Sequence, residues 1–137
     1  VKDAQRARAA IEQAFTRMAR RHKYSTGVDL RSAAKGVVLV ALRAWRDPAG
    51  RLDRVRQLCE AVDALKVDLQ LGKDVDAFRS FREFEAIVRL VDEVGRQSGG
   101  WLKRLLPKGQ DARADHPPAQ RAPILSSRSA SRAGATP

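Results

Sequence analysis

Apolar residues recur at steps of three and four in four successive stretches of the chain, the spacing that lines one face of a helix. Residues 2–22 carry Ala7, Ile11, Ala14, Phe15, Met18 and Ala19 in this way and predict a first helix. Tyr24, Ser25, Thr26 and Gly27 read as a turn. From Leu30 the stripe resumes through Ala34, Val37, Val38, Ala41, Leu42 and Trp45; its valines alone would suit a strand, but its length and its alanines favour helix. Asp47 suits an N-cap and Pro48 a first helical position, where the missing N–H costs nothing. A third helix is therefore predicted over residues 48–71, through Leu52, Val55, Cys59, Val62, Leu65 and Leu69. Gly72 is its expected end and Asp76 the expected cap of a fourth helix. That helix has the strongest period in the chain: Phe81, Phe84, Val88, Val91, Gly95, Ser98, Leu102 and Leu105 alternate steps of three and four.

Beyond Pro107 the composition shifts to Pro, Ser, Ala, Gly and Arg and the apolar period stops, so residues 108–137 are expected to form a disordered basic tail. Four helices with short connections predict an all-α fold, an antiparallel up-down-up-down four-helix bundle over residues 1–107.

The last helix contains an anomaly. Gly95, Gly99 and Gly100 lie inside a helical pattern, where each glycine costs up to about 1 kcal/mol relative to alanine. Either Gly95, Ser98 and Gly99 let a neighbouring backbone come close, within the bundle or between subunits, or Gly99 and Gly100 end or kink the helix before Trp101.

The same residues carry a resemblance. "DEVGRQSGGWLKRL", with the upstream "DALKVDLQLGKDV" and "FREFEAIVRLVDEVGR", resembles the C-terminal half of a four-helix-bundle family. That family includes the accessory variability determinant proteins of diversity-generating retroelements and the proteins encoded in bacterial ribosomal-RNA intervening sequences. The matching positions are Leu65, Leu69, Leu71, Lys73, Asp74, Glu93, Val94, Gly95, Arg96, Gly99, Gly100 and Trp101, and the likeness spans residues 20–105. Between the first two helices, "RRHKYSTG" keeps the family's basic residues and lacks its proline. The resemblance implies a homo-oligomer, a pentameric barrel in the accessory proteins, that binds a reverse transcriptase and its RNA, or the cDNA or RNA/DNA hybrid made from it. It implies no catalysis and a supporting role in mutagenic cDNA synthesis. The intervening-sequence relatives imply the bundle without that role, which leaves a structural adaptor for a protein partner as the alternative.

Charge points the same way without any family. The chain has 27 Lys and Arg against 16 Asp and Glu, a net charge of +11, and so favours an acidic partner such as nucleic acid. In an up-down-up-down bundle one pole gathers the start of the first helix, the end of the second, the start of the third and the end of the fourth. Arg43, Arg46, Arg51, Arg54, Lys103 and Arg104 meet there, and form the first candidate phosphate-binding surface. Arg113, Arg121, Arg128 and Arg132 of the tail would leave from that pole. Arg17, Arg20, Arg21 and Lys23, at the other pole with no acid three or four residues away, are the second. Arg43 and Arg46 have a competing structural role, since cations in a last helical turn complement the helix dipole. Arg89 and Arg96 follow Glu85 and Asp92 by four residues and read as intrahelical pairs.

Other chemistry finds little support. Phe15, Trp45, Phe78, Phe81, Phe84 and Trp101 mostly fall on apolar stripes and read as core, which leaves Tyr24 as the one stacking candidate and predicts contact mainly to the nucleic-acid backbone. Cys59 reads as a buried core thiol. His22 and His116 are far apart, no His or Cys pair has metal-ligand spacing, and "GRQSGGW" lacks the ending of a phosphate-binding loop. No enzyme activity, cofactor or metal is expected. The longest apolar run, residues 37–42, is too short to span a membrane, and with no signal-like segment the chain reads as cytoplasmic.

Overall fold

The computed structural model describes residues 1–107; the expected tail, residues 108–137, lies outside the described residues. Four long helices form the fold: α1 Lys2–Arg17, α2 Val28–Arg46, α3 Arg51–Asp74 and α4 Phe81–Leu105. No strand occurs among the described residues, and no helix there is long and apolar enough to cross a membrane. α1 packs on α2 and α4, and α3 packs on the same two, so the helices close into an antiparallel up-down-up-down bundle. Arg31 of α2 pairs with Glu12 of α1 at 3.0 Å, and Arg17 of α1 with Glu83 of α4 at 2.7 Å, which fixes the register of both neighbours on α1. The main core runs through Ile11, Leu30, Val62, Leu65, Leu69, Ile87 and Val91, lined on the α1 and α2 side by Ala4, Ala7, Ala14, Ala34 and Ala41.

Several boundaries differ from the sequence expectation. α1 stops at Arg17 instead of His22, because Met18 and Ala19 are extended. The Met18 side chain is buried there, and Gly27 lies so close that an added Cβ would stand 3.0 Å from the Met18 sulfur and 2.9 Å from Phe15 Cδ1. A single helical turn, Arg20–His22, and a π-helical segment, Lys23–Gly27, replace the simple turn and run directly into α2. α3 begins at Arg51, not Pro48: the Asp47 carboxylate accepts the Gly50 N–H at 3.0 Å and closes the connection before the helix starts.

Asp76 does not cap α4. It takes φ 58° just past the end of α3, where Ala77 N–H donates to the Gly72 carbonyl at 2.8 Å and Asp76 N–H to the Lys73 carbonyl at 3.1 Å. This Schellman arrangement satisfies the last carbonyls of α3. Gly72, expected to end the helix, is inside it and buried against the Phe78 ring. Ser80 is the true cap of α4. Its hydroxyl accepts the Glu83 N–H at 3.1 Å, while the Glu83 carboxylate accepts the Arg79 N–H at 2.9 Å and the Arg17 guanidinium.

The buried stripe of α4 is Phe84, Ile87, Val91, Val94, Ser98 and Leu102. Ile87 and Val94 take the inward positions assigned to Val88 and Gly95, because adjacent residues on a wide stripe fit a three-four period equally well. α4 continues unbroken through Gly99 and Gly100, both half-buried, so neither ends or kinks it. Within the bundle, a close backbone approach is not what Gly95 provides. A Cβ there would meet Lys66 Nζ at 3.2 Å, and that ammonium reaches Asp92 at 3.6 Å, so Gly95 makes room for a lysine from α3. Gly100 faces only the Arg104 guanidinium, 3.6 Å from where its Cβ would sit. Ser98, buried, donates its hydroxyl to the Gly95 carbonyl at 3.1 Å, and Trp101 is half-buried between the two core clusters.

Glycine spacing gives a paired test of this packing. A Cβ at Gly36 would meet nothing within 4 Å, whereas one at Gly72 would stand 2.8 Å from Phe78 Cε2. Gly36→Ala is expected to stabilise the fold by up to about 1 kcal/mol through helix propensity. Gly72→Ala is expected to destabilise it by about 1 kcal/mol or more through overpacking against the ring. Urea unfolding followed by circular dichroism measures both.

Candidate nucleic-acid interface

Ala44 of α2, Val55 of α3 and Leu102 of α4 form a second, small buried cluster, flanked by Leu52, Cys59, Trp101, Leu105 and Leu106. It draws the end of α2, the start of α3 and the end of α4 into one pole. The side chains of Arg43 and Arg46, of Arg51 and Arg54, and of Lys103 and Arg104 are carried on the three helix ends that this cluster joins. α1 joins them slightly lower. The Gln97 amide donates to the Asp3 carboxylate, so the start of α1 lies beside Gln97, about 9 Å of helix rise before Lys103. Cys59 is half-buried against this cluster, not fully enclosed as expected.

Hydrogen bonding separates the six cations into two kinds. Arg51 donates from Nε to the Ala44 carbonyl at 2.9 Å and from Nη2 to the Trp45 carbonyl at 2.8 Å. These are among the last carbonyls of α2, which lack an intrahelical partner, so Arg51 acts as a cap supplied by the next helix. Arg54 pairs with Asp47 at 3.8 Å. Arg43, Arg46, Lys103 and Arg104 are exposed and make no ion pair with a carboxylate among the described residues. They are the part of the pole able to meet phosphate without first breaking a contact.

The second candidate group lies at the far end of α2, about 28 Å of helix away. Most of it is engaged. Arg17 is held by Glu83, from Nη2 at 2.7 Å and Nε at 3.2 Å, Arg21 donates to His22 Nε2 at 3.0 Å, and Lys23 Nζ stands 5.2 Å from the Phe15 ring centroid. Arg31 covers the same ring at 4.4 Å. Arg20 is exposed and is the one member of this group whose side chain makes no hydrogen bond, ion pair or ring contact among the described residues. Sequence spacing missed the Arg17–Glu83 pair because its partners are 66 residues apart.

Two titrations reflect the local charge. The Asp68 carboxyl is raised above its ordinary value of 3.8, first by burial and then by the neighbouring Asp29 carboxylate. The Glu93 carboxyl is held below its ordinary value, first by the hydrogen bond from Arg96 and next by that from Gln97. Arg96 thus pairs with Glu93 and not with Asp92, which reaches across to Lys66; Arg89 does pair with Glu85, at 3.7 Å.

The aromatic side chains depart most from expectation. Trp45 is 66% exposed and Phe81 62% exposed, where both were expected in the core; Tyr24, at 67%, is exposed as expected. Ala44 takes the inward position of the last turn of α2, and the adjacent indole is turned outward. A step of three from Ala41 leads to Ala44 and a step of four to Trp45, so periodicity alone did not choose between them. No group of three or more His, Cys, Asp or Glu side chains gathers in metal-binding geometry among the described residues.

With this geometry in place, comparison with known proteins adds no relative: no family model, curated protein or solved structure matches the chain.

Two outcomes follow from the contacts at the poles. Arg51→Ala removes the cap on α2 and is expected to cost about 1–2 kcal/mol of stability in chemical denaturation, whatever the ligand. For Asp68, the raised folded-state pKa means that the folded chain holds this proton more tightly than the unfolded chain. Its destabilising effect is therefore absent below 3.8 and grows as pH rises through the folded value. Asp68→Asn is expected to raise the melting temperature at pH 7, and the gain is expected to vanish as pH falls to about 3.8 in a thermal-melt series.

Proposed function

We propose that the protein is a non-catalytic accessory subunit that binds RNA, or the cDNA or RNA/DNA hybrid made from it, at the pole where α2 ends, α3 begins and α4 ends. Its partner in this reading is the reverse transcriptase of a diversity-generating retroelement, and its task is to support mutagenic cDNA synthesis. The observation that carries the nucleic-acid reading is the set Arg43, Arg46, Lys103 and Arg104: exposed, from two helices joined by one buried cluster, and free of carboxylate partners among the described residues. Cations left unpaired exchange counterions for phosphates without losing an intramolecular contact, and release of those counterions drives binding. The net charge of +11 adds attraction at longer range. The polymerase and the pentameric assembly are supported by the resemblance of residues 20–105 to the accessory variability determinant proteins.

A second reading has its own observation. Val67 and Leu71 on α3 and Val75 just past its end, at steps of four, are all exposed, Val67 at 52% and Leu71 at 50%. The C-terminal end of the helix therefore carries a short apolar strip on its outer face. Such a stripe suits a structural homo-oligomeric adaptor of the intervening-sequence type whose main partner is another protein.

Fluorescence anisotropy of a labelled structured RNA, titrated across a salt series, tests the first reading. Four phosphate contacts predict a log-log slope of about −3. The variant Arg43→Glu, Arg46→Glu, Lys103→Glu, Arg104→Glu is expected to lose that binding while its helical circular dichroism persists; Arg51 is left intact because it caps α2. Weak, salt-insensitive binding, or binding unchanged in the variant, would overturn the site and favour the adaptor.

A further inference from the structure

We infer that the basic pole takes unpaired nucleotides, with the Trp45 indole as the platform on which a base stacks. The inference rests on the nucleic-acid reading above and names the form of nucleic acid that the pole serves. Trp45 lies in the last turn of α2, and the inward place in that turn is filled by Ala44, fully buried with Val55 and Leu102. The core therefore makes no use of the indole. The residue is 66% exposed, and its ring has no aromatic or cationic neighbour among the described residues.

The residue is also firmly placed. Arg51 Nη2 donates to the Trp45 carbonyl at 2.8 Å, so the indole projects from backbone that is tied to the start of α3. Arg43 and Arg46 lie two residues before it and one after it, both exposed and without a carboxylate partner among the described residues. Positive charge that tracks a phosphate backbone, with an aromatic face for the base between, is the arrangement that holds single strands. In a duplex the base faces are covered by their neighbours in the stack. An indole platform therefore separates unpaired from paired nucleic acid, which the cations alone do not do.

The other exposed aromatics lack this setting. The Phe81 ring packs against Phe84 with centroids 5.8 Å apart, and Tyr24 lies at the pole where Arg17, Arg21 and Lys23 are already engaged.

The test compares a 12-nucleotide oligouridylate with an RNA duplex of equal length, in a Trp101→Phe background so that Trp45 is the only tryptophan reporting. The oligouridylate is expected to quench Trp45 emission on binding. In anisotropy titrations with the same labelled strands, Trp45→Ala is expected to weaken single-strand binding about ten-fold and duplex binding less than two-fold, with Trp45→Phe restoring most of the difference. Trp45 is exposed, so circular dichroism should be unchanged in both variants. Equal affinity for both probes with no effect of Trp45→Ala would overturn the inference and leave phosphate binding at the pole intact. Failure of both probes to bind would overturn the nucleic-acid reading with it.

Discussion

Arg51 donates two hydrogen bonds to the carbonyls of Ala44 and Trp45, and this contact joins the end of α2 to the start of α3 across a connection of only four residues, 47–50. A helix C-terminus leaves its last carbonyls without partners and carries partial negative charge, so a guanidinium with several donors in one plane suits it well. Below that contact, Ala44 packs with Val55 and Leu102. The pole owes its shape to these two features together. With α2 and α3 tied, the end of α4 packs on them through Leu102, and the charges on three helix ends are carried to one pole.

The same contact explains why basic residues that look alike in sequence do different work. Arg51 is consumed by carbonyls, Arg54 by Asp47, Arg17 by Glu83, and Lys23 and Arg31 lie over Phe15. Each engaged cation would have to give up an interaction to bind phosphate. Arg43, Arg46, Lys103 and Arg104 have no carboxylate partner among the described residues to give up. Among the six candidate cations of this pole, the fold thus separates two that are already held, Arg51 by carbonyls and Arg54 by Asp47, from four exposed ones that pair with no carboxylate among the described residues.

The opposite end of the bundle is built for closure. Ser80 and Glu83 cap α4, Asp76 turns the chain in a left-handed conformation after α3, and Phe78 covers Gly72. Glu83 serves two tasks there, accepting the Arg79 N–H and binding Arg17 of α1, so the start of α4 and the end of α1 are held by one side chain. With Asp29 beside Asp68, this end also carries like charges that oppose each other. The two ends differ in kind: one is tied by the cap and ion pair of Glu83, and the other gathers four exposed cations without a carboxylate partner among the described residues.

Much of this was legible in the chain. The three-four period of Ala7 through Ala14, Leu30 through Ala41, Val55 through Leu69 and Phe84 through Leu102 sets four helices, because burying one apolar face of each is what makes such helices stable. Asp47 and Pro48 mark a break, and the short connections impose antiparallel neighbours. The set of basic residues at one pole follows from that topology alone. Which of two adjacent residues points inward does not. Ala44 over Trp45, Val94 over Gly95 and Ile87 over Val88 satisfy the same period, and only the partner helices choose between them. Cap assignments failed for the same reason: Asp76, Ser80 and Asp47 all have capping chemistry, and the path of the backbone decides which orphaned N–H each one meets, if any. Local spacing therefore determined the helices and their order. Tertiary packing alone decided that Arg51 is a cap, that Arg43 and Arg46 have no carboxylate partner among the described residues and that Trp45 is exposed, because each depends on contacts between helices that spacing along one helix does not encode.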